Sequence, residues 1–292
     1  MMRVVSLVPA ATEIAIALGA TDLLVAVTHD DDHPAVANVP RVTRSTIPPA
    51  SNAREIDTLV REAAARGEST FHLDESALRA ARADLILGQT LCAVCAVTLD
   101  RLPAAPGPAP EVVRLEAASL EGMLDDVRTV GAALGRSAQA EQLVTALRER
   151  LAQVREQVNG LERPRVACIE WLDPPFNGGH WVPEQVAIAG GTDVLGTAGE
   201  RSRQIAWEDV VRAAPEIVIA MPCGWDARRA AREAEAIPDL AGARIVGVDG
   251  AAYFSRPGPR LVDGAELLAS IFHPGRAAPP RDAFAIEIAR AV

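Results

Sequence analysis

The chain has 292 residues, 49% of them apolar, enough to fill two cores of about 110 residues each and leave a connection between them. Its net charge of −10 sets it against a phosphate backbone, which excludes nucleic acid as a partner on electrostatic grounds. No uncharged apolar run reaches the roughly 18 residues of a spanning helix, so no membrane span is expected.

Met1-Met2-Arg3 runs directly into Val4-Val5-Ser6-Leu7-Val8, which reads as a first core strand over 3–8 stopped by Pro9. A secretory leader needs an apolar stretch and a small-residue cleavage site ahead of the fold. The opening strand therefore predicts a cytoplasmic protein, or a periplasmic or cell-surface one if the N-terminus is trimmed. In a reducing compartment Cys92, Cys95, Cys168 and Cys223 are expected as thiols.

A short helix follows from Thr12 to Leu18, closed by Gly19. A second strand runs from Leu23 to Val27, and a polar loop over His29-Asp30-Asp31-Asp32-His33-Pro34. Helices are predicted over 56–66 and 75–83, and Asp84-Leu85-Ile86-Leu87-Gly88 is a buried strand. Short continuous apolar runs separated by helices predict a parallel sheet. Pro103, Pro106, Pro108 and Pro110 form a stiff segment before a strand over 112–115.

The longest helical stretch runs from about Ser119 to Val158. Ser119 suits an N-cap, and Glu121, Asp125 and Asp126 suit the positive end. Gly135-Arg136-Ser137 interrupts it. The part after Ala138, with Leu143, Leu147, Leu151, Val154 and Val158 on one face, spans roughly 30 Å at 1.5 Å per residue, long enough to link two lobes. The second lobe restarts with a strand over 166–171. A helix over 183–189, a helix over 207–213, strands over 216–220 and 244–248, and a closing helix over 264–272 follow. The fold class is α/β: two Rossmann-like lobes with parallel sheets joined by one long linker helix. The boundaries are 1–117 for the N-terminal lobe, 118–162 for the linker, 163–275 for the C-terminal lobe and 276–292 for a peripheral tail. One internal echo supports two lobes of like plan: Ala80–Gly88 matches Arg212–Ala220, each a helix end, an acidic residue and a buried strand.

Ligands in such sheets bind beyond the carboxyl ends of the strands. Four loops fall there. Pro9-Ala10-Ala11-Thr12, at a helix mouth, offers backbone amides to an anion or is a plain turn capped by Thr12. His29 to His33 holds two histidines and three carboxylates, a metal loop or a solvated acidic one. Gln89-Thr90-Leu91-Cys92-Ala93-Val94-Cys95 carries a Cys-x-x-Cys spacing suited to a metal ion or redox chemistry at Cys92 and Cys95, or to packing against a ligand. The fourth, Trp171 to Trp181, includes Pro175, Phe176 and His180. It concentrates aromatics in a chain that is only 3% aromatic, and so points to a large, flat, partly apolar ligand. Trp207, and Tyr253, Phe254 and Arg256 after the last strand, are expected on the same wall. His29 and His180 are candidate axial nitrogens for a bound metal. The familiar nucleophile-elbow, Walker, dinucleotide and zincin motifs are missing, so no enzyme is expected.

Val5-Ser6-Leu7-Val8-Pro9-Ala10-Ala11-Thr12-Glu13, Asp173-Pro174-Pro175-Phe176-Asn177-Gly178-Gly179 with Gln185 and Gly190-Gly191, Ala206-Trp207-Glu208-Asp209-Val210, and Ser255-Arg256-Pro257-Gly258-Pro259-Arg260 together carry a resemblance. The chain resembles the helical-backbone (class III) substrate-binding proteins of ABC transporters, in particular their vitamin B12-binding members, from about residue 3 to 272. Residues 50–76 look like an insertion. The resemblance implies a cobalamin or related corrinoid as ligand, a small-molecule metal chelate held between the lobes, and an ABC permease as partner. A ferric-siderophore or haem binder, a cytoplasmic Cys-x-x-Cys metal-handling or redox protein, and a chelatase-like enzyme are the other readings.

Overall fold

The computed structural model of the chain describes residues 1–89, 109–240 and 242–289. The chain divides into two compact α/β units, Met1–Ala117 with Glu121–Thr145, and Ala118–Leu120 with Ala146–Val292.

The first unit is built on a four-stranded parallel sheet of β1 (Val4–Ser6), β2 (Leu24–Ala26), β5 (Leu85–Gln89) and β6 (Glu111–Leu115), in the order β2-β1-β5-β6. All three residues of β1 and all five of β5 are buried, the pattern of central strands covered on both faces. Helix α1 (Pro9–Ala17) starts three residues earlier than expected. Proline fits the first helical position, because its fixed φ suits the turn and its missing N–H would go unbonded there anyway. The stretch resembling an insertion, 50–76, holds helix α2 (Ala53–Ala65) and strand β4 (Phe71–Leu73), which pairs antiparallel with β3 (Thr43–Ser45) just before it. An Asn52–Glu55 capping box starts α2. Helix α3 (Glu75–Ala81) leads into β5.

The long helical stretch breaks where the sequence predicts. Helix α4 (Leu120–Ala133) and helix α5 (Ser137–Gln157) are separated by Gly135, whose φ of +65° only glycine takes without strain. α5 contributes residues to both units.

The second unit holds β7 (Arg165–Leu172), β8 (Pro175–Asn177), β9 (Thr192–Asp193), β10 (Ile217–Ala220), β11 (Arg244–Gly247) and β12 (Ile286–Glu287). The order is β12-β11-β10-β7-β8, with β9 on β7. β11, β10, β7 and β9 run parallel, and β8 and β12 are antiparallel additions at the two edges. Around it lie α6 (Val182–Ile188), α7 (Trp207–Ala213), α8 (Ala227–Ala234), α9 (Gly250–Tyr253) and α10 (Leu261–Phe272). The sequence reading passes over α8. Its inward positions are Ala227, Ala230, Ala231 and Ala234, a helical spacing made of a residue too small to stand out as apolar.

The internal echo is structural. Arg82 ends α3 at φ +46° and Ala214 ends α7 at φ +44°, both in the left-handed region. Two residues on, the Asp84 carboxylate accepts from the Arg3 N–H at 2.8 Å and the Glu216 carboxylate from the Arg165 N–H at 2.9 Å. Each acid thus ties a central strand to the next at the same point of its unit.

Candidate functional site

At the carboxyl edge of the first sheet, Pro9 to Thr12 form the first turn of α1. Ala10, Ala11 and Thr12 are buried. Two of the amides proposed for an anion, those of Ala11 and Thr12, already donate to the Val8 carbonyl at 3.1 and 3.3 Å. The Thr12 hydroxyl donates to Ser6 Oγ at 2.8 Å, and Ser6 Oγ donates to the Val8 carbonyl at 3.0 Å. This chain of hydroxyls fixes the turn. His29 is tied to the insertion: its ring Nδ1 stands 2.7 Å from Thr43 Oγ1, its N–H donates to the same oxygen, and its ring packs on Phe71 at 5.5 Å. Its Nε2 is 3.5 Å from the Asp30 carboxylate. Gln89 is the buried last residue of β5. Cys92 and Cys95 lie outside the described residues.

At the carboxyl edge of the second sheet the aromatic residues separate into two groups. In the first, Trp171 and Phe176 are half-exposed and Trp225 is buried. Trp171, near the end of β7, pairs with Phe176 of β8 across the ladder, and Phe176 in turn bridges to Gln204. The Trp171 ring lies 5.2 Å from that of Trp225 with the planes tilted by 49°. The Arg229 guanidinium sits 4.1 Å over Trp225. Pro175 is buried, and its carbonyl accepts from the Ile205 N–H just before Trp207, itself partly exposed at the first turn of α7.

The second group is internal. Trp181 is buried and its indole N–H donates to the Phe254 carbonyl at 2.7 Å; Phe254 is buried as well. Gln185, fully buried, donates to the Tyr253 and Leu261 carbonyls at 3.1 and 2.8 Å. These bonds fasten the start of α6 to the segment between α9 and α10. Tyr253 and Arg256 remain partly exposed. Burial, then the Asp249 charge, raises the Tyr253 phenol above its ordinary range. His180 stacks loosely on Trp181 at 5.5 Å with a backbone φ of +53°. Its Nε2 is buried without a hydrogen-bond partner among the described residues. Burial, then the Arg201 charge, holds the imidazole below its ordinary range, so the ring is neutral at neutral pH. Among the described residues no group of three or more His, Cys, Asp or Glu side chains is placed to hold a metal ion.

Trp225 and Arg229 escape the sequence reading. Their signal was position: the loop after the buried run 217–220 must open at the carboxyl edge, and Trp225 is the one large ring in it. Chemically this edge offers the partly exposed Trp171 indole, backed by the buried Trp225 ring and the Arg229 guanidinium, a surface suited to a flat ligand held by stacking and desolvation.

No helix among the described residues is long and apolar enough to cross a membrane. The family model described as "Periplasmic binding protein" matches residues 4–242. No curated protein sequence matches the chain. Among solved structures, a periplasmic heme binding protein from Pseudomonas aeruginosa is similar at a TM-score of 0.71 and 20% identity, covering 100% of this chain and 99% of that one. The periplasmic heme-binding protein RhuT from Roseiflexus sp. RS-1 reaches 0.68 at 19% identity, covering 94% and 99%. The periplasmic vitamin B12 binding protein BtuF of Vibrio cholerae reaches 0.60 at 19% identity, covering 92% and 96%. At these identities the structures establish likeness of fold. The family match spans most of the sequence, and on that ground the chain belongs to the periplasmic binding protein family, as a substrate-binding protein of the helical-backbone class.

Proposed function

We propose that this substrate-binding protein takes a large, flat metal chelate of the tetrapyrrole class, a corrinoid in the first instance, against the carboxyl edge of its second unit. The observation that carries the reading is the Trp171–Trp225 pair, two indoles 5.2 Å apart at the end of a parallel sheet. Covering an indole with a macrocycle removes apolar area from both partners, at roughly 25 cal/mol per Å². Phe176, Trp207, Tyr253 and Arg256 extend the same unit's candidate contacts, and His180 is the candidate axial nitrogen. In this reading the protein is a carrier rather than an enzyme, and an ABC permease receives the ligand from it. The cytoplasmic location expected from the opening strand finds no support in a family whose relatives are described as periplasmic, and the periplasm is the proposed compartment.

A second reading has equal support from the relatives: haem or a ferric siderophore. Arg229, beside Trp225, favours a ligand whose edge carries carboxylates, as haem's does. The redox or metal-handling reading rests on Cys92 and Cys95, which lie outside the described residues.

Titration of the purified protein with cobalamin, cobinamide, haemin and a ferric siderophore, followed by ligand absorption and tryptophan quenching, tests the proposal. Saturable corrinoid binding, weakened tenfold or more in Trp171→Ala and Trp225→Ala, is the expected result. Haem binding without corrinoid binding moves the assignment to the second reading. Ligand binding unchanged in both variants places the site elsewhere.

A further inference from the structure

The first unit contains a cavity of about 460 Å³ lined by Arg41, Thr43, Arg44, His72 and Asp74, where the end of the 50–76 stretch meets β3. Its walls come from β3, β4 and the residues on either side of them. Arg44 and His72 are direct partners across the antiparallel pair, so two cation-capable side chains stand opposite each other. The Arg44 guanidinium has no hydrogen bond or ion pair among the described residues, and both side chains are exposed. Arg41 is held differently. Its guanidinium donates to the carbonyls of Val36, Val39 and Asp31 at 2.8 to 2.9 Å, which fixes the group in place while leaving its charge without a carboxylate. The nearby Asp31 carboxylate is already committed to the Thr28 N–H and hydroxyl. The cavity's one acid, Asp74, is turned to other work: it caps α3, accepting from the Ser76 hydroxyl at 2.6 Å and the Ala77 N–H at 2.9 Å. Arg41, Arg44 and His72 thus line one shared space with Asp74, whose carboxylate is largely committed to the helix cap and also feels the His72 ring.

We propose that this cavity is an anion site, taking a carboxylate or phosphate group between Arg44 and His72 with Arg41 as its fixed charge. A guanidinium pre-set by carbonyls loses little freedom on meeting an anion, and an anion between Arg44 and His72 can accept from the guanidinium and from an imidazole N–H. The anion proposed is one free in solution. The site stands on the first unit's own residues and does not depend on the tetrapyrrole reading.

The test titrates wild type, Arg44→Ala and His72→Ala with inorganic phosphate and with citrate at constant ionic strength, reading thermal shift and the amide NMR signals of residues 41–46 and 70–74. Both substitutions are at exposed side chains, so the fold should stay intact. A saturable response to phosphate or citrate, weakened fivefold or more in either variant, supports a free-anion site. If wild type and both variants respond alike to every one of these probes, the proposal is overturned.

Discussion

The Arg229 guanidinium lies 4.1 Å from the centroid of the Trp225 ring, and Trp225 in turn lies 5.2 Å from Trp171. The three side chains form a short stack that starts on α8 and ends on β7. Trp225 is buried, with 4% of its surface exposed, while Trp171 keeps more. In the proposed site Arg229 would act on a ligand mainly by holding Trp225 against Trp171. A cation over an indole at a partly exposed site contributes about 0.5–1 kcal/mol. Arg229→Ala is expected to weaken chelate binding twofold to fivefold, and Trp225→Ala tenfold or more. Equal losses in the two variants would mean that the guanidinium, not the indole, is the main contact.

Asp126 of α4 is buried, its carboxylate accepting from the Ala117 N–H at 3.1 Å and more distantly from that of Glu116. Burial outweighs those bonds and pushes its pKa up from 3.8 to about 6. The folded state thus holds this proton more tightly than the unfolded chain. Between pH about 4 and about 6 the native state binds more protons, so stability falls as pH rises through that window and stays lower above it. Asp126→Asn removes the ionisation. Urea unfolding should show the variant gaining about 2 kcal/mol on wild type between pH 4 and pH 7.5. A pH-independent difference between the two proteins contradicts the assignment.

Arg150 fastens α5 to α10 in the second unit. It donates to both carboxylate oxygens of Glu266, at 2.8 and 2.7 Å, and to Asp263. The acids are about a fifth exposed and Arg150 about a third, so the network is screened in part. Arg150→Met keeps most of the stem but leaves two neighbouring carboxylates without their cation. A loss of about 1–2 kcal/mol is expected, and most of it should return in the double variant Arg150→Met, Glu266→Gln. Strict additivity of the two substitutions would show that the pair is not coupled.

The alternation of strands and helices was legible because central strands such as 85–88 and 217–220 are buried on both faces and must be continuously apolar. The echo between 80–88 and 212–220 was legible because it repeats a structural device, an acid that ties two strands. Helix α8 was not, since alanine fills its buried face. The aromatic loop over 171–181 was visible as a cluster, but clustering in sequence does not say which ring turns inward. Trp181 and Phe254 are fastened to each other in the interior, whereas Trp171 stays half-exposed. Its partner Trp225 comes from a distant loop, and only the pairing of β7 with β10 brings the two rings together.

The loop carrying Trp225 depends on a glycine of α9. A Cβ built on Gly250 would lie 2.3 Å from the Pro222 carbonyl oxygen and 2.5 Å from that of Met221. Both obstacles are backbone, so no side-chain rotation relieves them. The following residue, Ala251, donates its N–H to the Trp225 carbonyl at 3.2 Å, and Asp249 caps the same helix by accepting from Ala252 at 2.7 Å. Gly250→Ala must therefore push α9 and the 221–225 loop apart at the place where Trp225 is positioned. Overpacking of this kind costs typically 1–3 kcal/mol. The displaced loop should also separate the two indoles. Their close approach predicts a coupled tryptophan circular-dichroism signal that Trp171→Phe abolishes. Gly250→Ala should reduce that signal at temperatures well below its own melting point, and weaken chelate binding along with it. An undiminished signal with lowered stability would mean that α9, rather than the Trp225 loop, absorbs the strain.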